Sequence, residues 1–383
     1  MESARGPLES ECPFPVPTDR FDQKNEMFKR SIWDEEMQPH ARRFYEEVLY
    51  QERAGYRKLD YALRNAAWNL EWGFGFGNSR SNCGLYAWEG VPAKIRRFLE
   101  AGDPVANPPE EMSRLIKKAA RFFGADLVGV CRTHPNWIYS HEFNLLTGEH
   151  YPIDLPGDMH YAIVMAIAMD HEAIRSAPSG VAGAATGLGY SKMASVANLM
   201  ATFIRGLGYR AVPCGNDTAL SIPLAMAAGL GEGSRMGLLI TETHGPRVRL
   251  CKVFTDLPLR QDAYRSFGAT EFCRTCRKCA IHCPSQAIPH GQKTTQGPNV
   301  SNQSGIFKWY VDAEKCFAFW ARNRMDCSTC IRVCPFNKPP GILHDAVRAV
   351  IRRTPVLNPL LTRIDDLLRY DRIYPAKEFW DSN

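Results

Sequence analysis

Eight of the 13 cysteines in this chain lie between Cys273 and Cys334, in two runs whose spacing suits metal. The first run is Cys273-x2-Cys276-x2-Cys279-x3-Cys283-Pro284, the spacing with which bacterial ferredoxins hold iron–sulfur cubanes. The second, Cys316-x10-Cys327-x2-Cys330-x3-Cys334-Pro335, differs only in its expanded first gap. Two-residue gaps let consecutive thiolates wrap one cubane from a single loop, while the fourth cysteine, followed by proline, turns toward a second cluster. The exchange rule then gives Cys273, Cys276, Cys279 and Cys334 to one [4Fe–4S] cluster, and Cys283, Cys316, Cys327 and Cys330 to the other. Structural zinc also uses Cys-x2-Cys pairs, but the triple spacing closed by Cys-Pro, found twice, favours iron–sulfur. A disulfide framework fits a short secreted chain better than one of 383 residues. The other five cysteines (Cys12, Cys83, Cys131, Cys214, Cys251) are scattered.

Two linked clusters move electrons without using them, so the long stretch before Cys273 is expected to hold a further redox centre or a substrate domain. Several candidates fail. Gly229-x-Gly231-x-Gly233 is not a dinucleotide fingerprint, and no phosphate-cradling G-x-x-x-x-G-K-[ST] loop is present. A His-ligated corrinoid asks for D-x-H-x-x-G; Asp158-Met159-His160 begins that way, but Ile163 stands where glycine is needed. The small-residue run Ala182-Gly183-Ala184-Ala185-Thr186-Gly187-Leu188-Gly189-Tyr190 opens a helix. It could pass close to a large flat cofactor, or simply pack tightly. Composition narrows the class further. A hydrophobic share of 45% is that of a soluble globular protein, and no apolar run is long enough for a transmembrane helix. Lys+Arg 47 against Asp+Glu 41 leaves only +6, with no long basic tract, which argues against nucleic acid as a partner.

The elements that must position this chemistry read as α+β. Residues 1–109 look like an irregular N-terminal wrapping unit, with Tyr61, Trp68, Trp72, Phe74, Phe76, Tyr86 and Trp88 interleaved with glycines. Those rings either fill gaps in the core or line an apolar pocket. A core unit over 110–265 follows. Met112, Leu115, Ile116, Ala119 and Phe122 recur at helical spacing, and apolar runs at 125–132 and 161–170 read as buried strands. Between them lies a Pro- and aromatic-rich insertion, 133–160. A helix over 189–207, a strand at 210–213, a small-residue helix over 218–229 and a strand at 236–241 complete the pattern. Residues 266–345 form a loop-rich cysteine module, and 346–383 a helical tail ending in Tyr374, Phe379 and Trp380. Arg274, Arg277 and Lys278, beside the first run, are either a docking patch for an acidic electron donor or solvated surface.

Over about residues 110–345 the chain resembles the respiratory reductive dehalogenases. The resemblance rests on the segment from TGLGYSKMAS (186–195) through PCGNDTALS (213–221), on HGPRVRLCKVF (244–254), and on the run opening FGATEFCRTCRKCAIHCP. It implies a nitroreductase-like vitamin-B12-binding core beside a bacterial-ferredoxin-like module with two [4Fe–4S] clusters. It also implies a base-off corrinoid, of the cobalamin or norpseudo-B12 type, with no protein ligand on cobalt. The reaction replaces a carbon–halogen bond by carbon–hydrogen in a small organohalide.

By that resemblance Tyr190 is the proton donor. Arg249 stabilises its phenolate and lowers its pKa, and Asn216 hydrogen-bonds the tyrosine or the leaving halide; Tyr190, Asn216 and Trp320 border the corrinoid. Trp320 and Thr186 also line the substrate pocket. Taken singly, Tyr190 would be a core tyrosine and Arg249 a surface ion pair. The expected partners are a small halogenated substrate, weakly favouring chlorinated alkanes or alkenes, a reduced electron donor, and a membrane anchor protein. The family's twin-arginine signal is missing, and the chain is short for the family. A removed signal would place the protein on the outer face of the cytoplasmic membrane, a recombinant form in the cytoplasm. Two alternatives stay open. An epoxyqueuosine reductase would use an aspartate acid and a basic tRNA surface, and a non-catalytic electron-transfer protein would need none of Tyr190, Asn216 and Arg249.

Overall fold

The computed structural model describes residues 14–48, 50–81, 83–89, 102–145, 147–339 and 341–382. Parts of the N-terminal unit, including Cys12 and residues 90–101, lie outside them. Eight strands are found among the described residues: β1 (Leu127–Arg132), β2 (His141–Phe143), β3 (His150–Pro152), β4 (Tyr161–Ala168), β5 (Ala211–Cys214), β6 (Glu232–Gly233), β7 (Leu239–Ile240) and β8 (Val248–Thr255). The main sheet is antiparallel, in the order β1-β4-β8-β5. Combined with the helices around it, this is an α+β fold.

The sheet is buried on both faces, which is why its strands read as near-continuous apolar runs. One face, with Ile163, Met165, Ile167, Cys251 and Val253, packs under Met112, Ile116, Met193, Ala197 and Met200 of the helices Pro109–Phe122 and Gly180–Gly206. The other face, with Ala162, Val164, Leu250 and Phe254, meets Leu224 and Ala225 of helix Ser221–Ala227 and Trp137, Tyr139 and Ile153 of the insertion. The insertion is itself built on the β2–β3 hairpin.

Three expectations change. β8 was not expected as a strand, yet it lies between β4 and β5; Arg249 and Lys252 interrupt its apolar pattern. The strand expected at 236–241 is only Leu239–Ile240, paired with Glu232–Gly233. The N-terminal unit is not irregular: it contains helices Met27–Trp33, Gln38–Tyr45 and the 17-residue Lys58–Phe74. Tyr61, Arg64, Trp68 and Trp72 recur at helical spacing, and this helix packs along the long Gly180–Gly206 helix.

Asp60 anchors that aromatic helix. Fully buried, its carboxylate accepts from the backbone N–H of Gly55 (2.9 Å) and Arg57 (3.0 Å), Arg57 Nε (3.2 Å) and Trp380 Nε1 (2.9 Å). Burial opposes its ionisation, but the Arg57 and Trp380 hydrogen bonds prevail and hold its pKa below the ordinary value. Asp60→Ala would strand these donors at a cost of about 3 kcal/mol. The expected result is a clearly lower thermal unfolding midpoint and faster proteolysis around residues 55–60, with an unchanged midpoint counting against this anchoring.

Candidate functional site

The long helix Gly180–Gly206 starts from Ser179, whose side chain accepts from Ala182 N–H. Seven of its first ten residues are Gly or Ala, so neighbouring elements come close to its backbone. A Cβ at Gly187 would lie 2.3 Å from Trp68 Cδ1, and one at Gly189 would lie 2.8 Å from Arg249 Cγ. Between these two glycines' neighbours sits Tyr190. Trp68 stacks on its ring at 4.8 Å between centroids and 23° between planes. The Arg249 guanidinium lies 5.0 Å from the same ring centroid. Asn216 Nδ2 donates to Tyr190 Oη at 2.8 Å. Arg249 also donates to Thr186 Oγ1 (3.3 Å), and Thr186 lies 3.4 Å from Ser328 Oγ, next to Cys327.

Thus Tyr190, Asn216, Arg249 and Thr186 converge. Trp320 is placed differently: its described ring contacts are with Phe28 (5.7 Å) and Phe44 (5.9 Å) of the first two helices. Lys252, on the opposite face of β8 from Arg249, was missed in the sequence. Fully buried, it donates to the carbonyls of Gly215 (2.5 Å), Asp217 (2.8 Å) and Ala219 (3.0 Å) and to Ser221 Oγ (3.1 Å), fixing the loop that carries Asn216.

The Tyr190 phenol is held above its ordinary pKa. Burial raises it and outweighs the Arg249 guanidinium, which lowers it; Glu71 raises it and the Asn216 hydrogen bond lowers it. The net lowering expected from Arg249 is therefore not what the surroundings produce. Glu71 was another residue the sequence did not flag. Its carboxyl accepts from Tyr86 Oη at 3.3 Å and is pushed up to about 8, by burial first and by Asp217 second.

Neighbouring groups share this character. Glu26 and Glu142 are raised and Lys29 is lowered, each chiefly by burial, though none is fully covered. The Tyr45 phenol is pushed far above its ordinary range, yet 51% of its surface is accessible. Tyr190 is half-buried and Asn216 exposed, and Arg249 Nε and Trp68 Nε1 are buried without a hydrogen-bond partner in the described structure.

The cysteines gather in two groups. A small pocket is lined by Cys273, Cys276, Cys279 and Cys334 with Met236, Phe272 and Phe336. Cys283, Cys316, Cys327 and Cys330 lie within electrostatic reach of one another. Burial pushes the thiols of Cys276 and Cys316 up to about 12, so such crowded sulfurs ionise together only around a cation. Four soft donors around an apolar-walled cavity fit an iron–sulfur cluster. Arg235, fully buried, donates to Cys273 O, Pro289 O and Gly291 O beside the first group. Lys278 does not serve a docking patch: it is buried and paired with Asp365 (2.5 Å) and Asp366 (2.7 Å).

The family model for a 4Fe-4S dicluster domain matches residues 272–338. Over 357 residues the chain is 37% identical to the tetrachloroethene reductive dehalogenase of Sulfurospirillum multivorans, covering 85% of this chain and 71% of that protein. This chain belongs to the reductive dehalogenase family. A tetrachloroethene reductive dehalogenase of Desulfitobacterium hafniense is 39% identical over 325 residues, 75% of this chain and 59% of that protein. Among solved structures, the catabolic reductive dehalogenase NpRdhA in complex with 3-bromo-4-hydroxybenzoic acid superposes with a TM-score of 0.72 at 25% identity, over 94% of this chain and 48% of that one. The chain thus spans about half the length of that solved relative. A reductive dehalogenase implies a corrinoid as well as iron–sulfur. The polar groups that stay accessible beside Tyr190, the Asn216 amide and the Glu71 carboxyl held protonated by burial, suit a large ring fringed with amides.

Glu71 gives a direct check on this desolvation. Its folded pKa of about 8 lies above its ordinary 4.5, so between those values the native state binds more protons than the unfolded chain. Stability should fall as pH rises through that window. Glu71→Gln keeps an acceptor for Tyr86 but carries no charge. Thermal unfolding should show the two proteins closest near the low end of the window and the variant more stable above about pH 8. A difference that does not change with pH would contradict the desolvation.

Proposed function

We propose that this chain is a reductive dehalogenase that replaces carbon–halogen by carbon–hydrogen in a small organohalide. Electrons pass through two [4Fe–4S] clusters to a base-off corrinoid, and Tyr190 donates the proton. One cluster is held by Cys273, Cys276, Cys279 and Cys334, the other by Cys283, Cys316, Cys327 and Cys330. The observation that carries this reading is the convergence of Asn216 and Arg249 on Tyr190, in a chain of this family.

The overall change is R–X + 2e⁻ + H⁺ → R–H + X⁻. The corrinoid, when bound, supplies the low-valent cobalt chemistry that breaks the carbon–halogen bond. The residues of the chain supply the rest. Tyr190, neutral over the working range because its pKa is raised, gives its proton to the carbon. The resulting phenolate is held by the Asn216 amide and the Arg249 charge, which cannot be lost near neutral pH. Trp68, stacked on the ring, fixes its plane and keeps water from that face. Thr186 holds the Arg249 fork from the other side. The cluster on Cys327 is the nearer one to this site, because Thr186 touches the loop residue Ser328. We further propose chlorinated alkenes over aromatics. In support, the relatives at 37–39% identity are described as tetrachloroethene reductive dehalogenases, while the relative solved with a halogenated aromatic is at 25%.

Tyr190→Phe keeps the ring that stacks on Trp68 and removes the proton. Cobalt and iron contents should match the native protein, while dechlorination of tetrachloroethene, followed by gas chromatography with reduced methyl viologen, falls by about 100-fold or more. Native-like turnover by the variant would remove Tyr190 from the mechanism. Inactivity of the fully loaded native protein on a panel of alkenes, alkanes and aromatics would remove the function.

A further inference from the structure

The insertion carries a group of side chains for which dehalogenation has no use. In the β2–β3 hairpin, His141 faces Pro152 and Phe143 faces His150. His141 and His150 therefore stand diagonally on one face of the hairpin. Their rings are 4.7 Å apart between centroids, at 32°. The N-terminal segment is laced onto the insertion here. Phe21 O accepts from Ser140 N–H (2.8 Å), Gln23 Oε1 accepts from Phe143 N–H (3.2 Å), and Arg20 donates to Ile138 O, Tyr139 O and Ile153 O. This lacing brings Asp22 to His150, whose Nε2 is 3.0 Å from each carboxylate oxygen. One ligand atom from each of Asp22, His141 and His150 lies within 4.8 Å of the other two.

We propose that Asp22, His141 and His150 form a binding site for a divalent transition-metal ion of the zinc type. Two imidazoles and a carboxylate are donors that zinc accepts, at bond lengths of about 2.0–2.2 Å. Donor atoms around such an ion are then roughly 3–3.5 Å apart, the separation already found between His150 and Asp22. Ser140 Oγ lies 3.1 Å from His141 Nδ1, the kind of outer contact that orients a ligating ring. Magnesium and calcium are disfavoured because they take oxygen donors. His150 contacts both Asp22 oxygens, one of which also accepts from Lys24 N–H, while His141 stands within reach of both groups without a contact to the carboxylate among the described residues; an ion employs all three. The other charged groups nearby are committed elsewhere. Arg20 is spent on three carbonyls, the Lys24 ammonium lies over the Trp33 ring, and Glu149 accepts from Thr147. The bound ion clips the segment leading into helix Met27–Trp33 onto the hairpin. That helix packs, through Phe28, on Phe317 and Trp320 of the helix carrying Cys316.

The test uses the cluster-loaded protein, washed with chelator under anaerobic conditions and dialysed against micromolar zinc chloride, with zinc and iron measured by elemental analysis. The native chain should take up one zinc more than His141→Ala or His150→Ala, at unchanged iron. That zinc should be held at about pH 7.5 and released on acidification, because ligation needs unprotonated nitrogens and displaces protons. A plain His150–Asp22 ion pair has the opposite pH dependence, since it needs the protonated ring. Zinc should also slow proteolysis within residues 14–26 in the native chain only. If an alanine variant loses iron and so fails to fold, Asp22→Asn replaces it; the amide keeps a hydrogen bond to His150 and should weaken zinc binding at least tenfold. Equal zinc uptake by native and variant proteins, or uptake matched by loss of iron, would overturn the site.

Discussion

Two side chains that are not there control the site. Gly187 and Gly189 bracket the approach to Tyr190, and a Cβ on either would run into Trp68 or Arg249. Glycine inside a helix costs about 1 kcal/mol against alanine, and this helix carries several in its first turns. What offsets that cost is contact: the aromatic helix Lys58–Phe74 lies along the long helix on one side and β8 on the other. Because both neighbours come so close, a stacked indole and a guanidinium bear on the same phenol. A larger residue at either position would separate Tyr190 from one of them.

The same close packing links the phenol to the cysteine module. Arg249 reaches Thr186, Thr186 reaches Ser328, and Ser328 adjoins Cys327. Arg64 on the aromatic helix makes a long contact (3.5 Å) with Asp326, on the other side of Cys327. The loop that bears this sulfur is therefore held by the two helices that build the site. The other sulfur group is held by different means. Arg235 is buried against Cys273 O, and Lys278 and Lys338 are tied to Asp365. Beside the module's apolar cluster of Phe267, Phe272, Trp309 and Phe336, buried cations and their partners fix the loops, and they place positive charge beside sulfurs that carry negative charge when they bind iron.

What the sequence made legible follows from how local each signal is. Cysteine spacing is a loop property, legible without knowing what packs around it, and Cys273, Cys276, Cys279 and Cys334 line one pocket. β1 and β4, buried on both faces, read as apolar runs. β8 did not, because its two charges belong to the site: Arg249 points to Tyr190 and Lys252 to the loop holding Asn216. The pattern is broken where two charged side chains reach across to other segments. The aromatic helix was hidden by the glycines around its end, which suggested irregular chain, although Tyr61, Arg64, Trp68 and Trp72 keep helical spacing. Glu71 and Lys252 could not be singled out at all. Their behaviour depends on burial by segments far away in sequence, and no spacing rule reports burial.

The electrostatics of the phenol connect these parts. In the role proposed for Tyr190, a proton donor must remain loaded at rest and still release its proton during the reaction. Burial and Glu71 keep the Tyr190 proton in place, while Arg249 and Asn216 favour its loss. The first pair comes from the aromatic helix and its close packing, the second from β8 and its supported loop. Neither pair alone suits a donor. Without the guanidinium the buried phenol would hold its proton too tightly, and without burial the guanidinium would ionise it too early. The balance therefore requires both elements close against the two sides of one helix, which is what Gly187 and Gly189 permit.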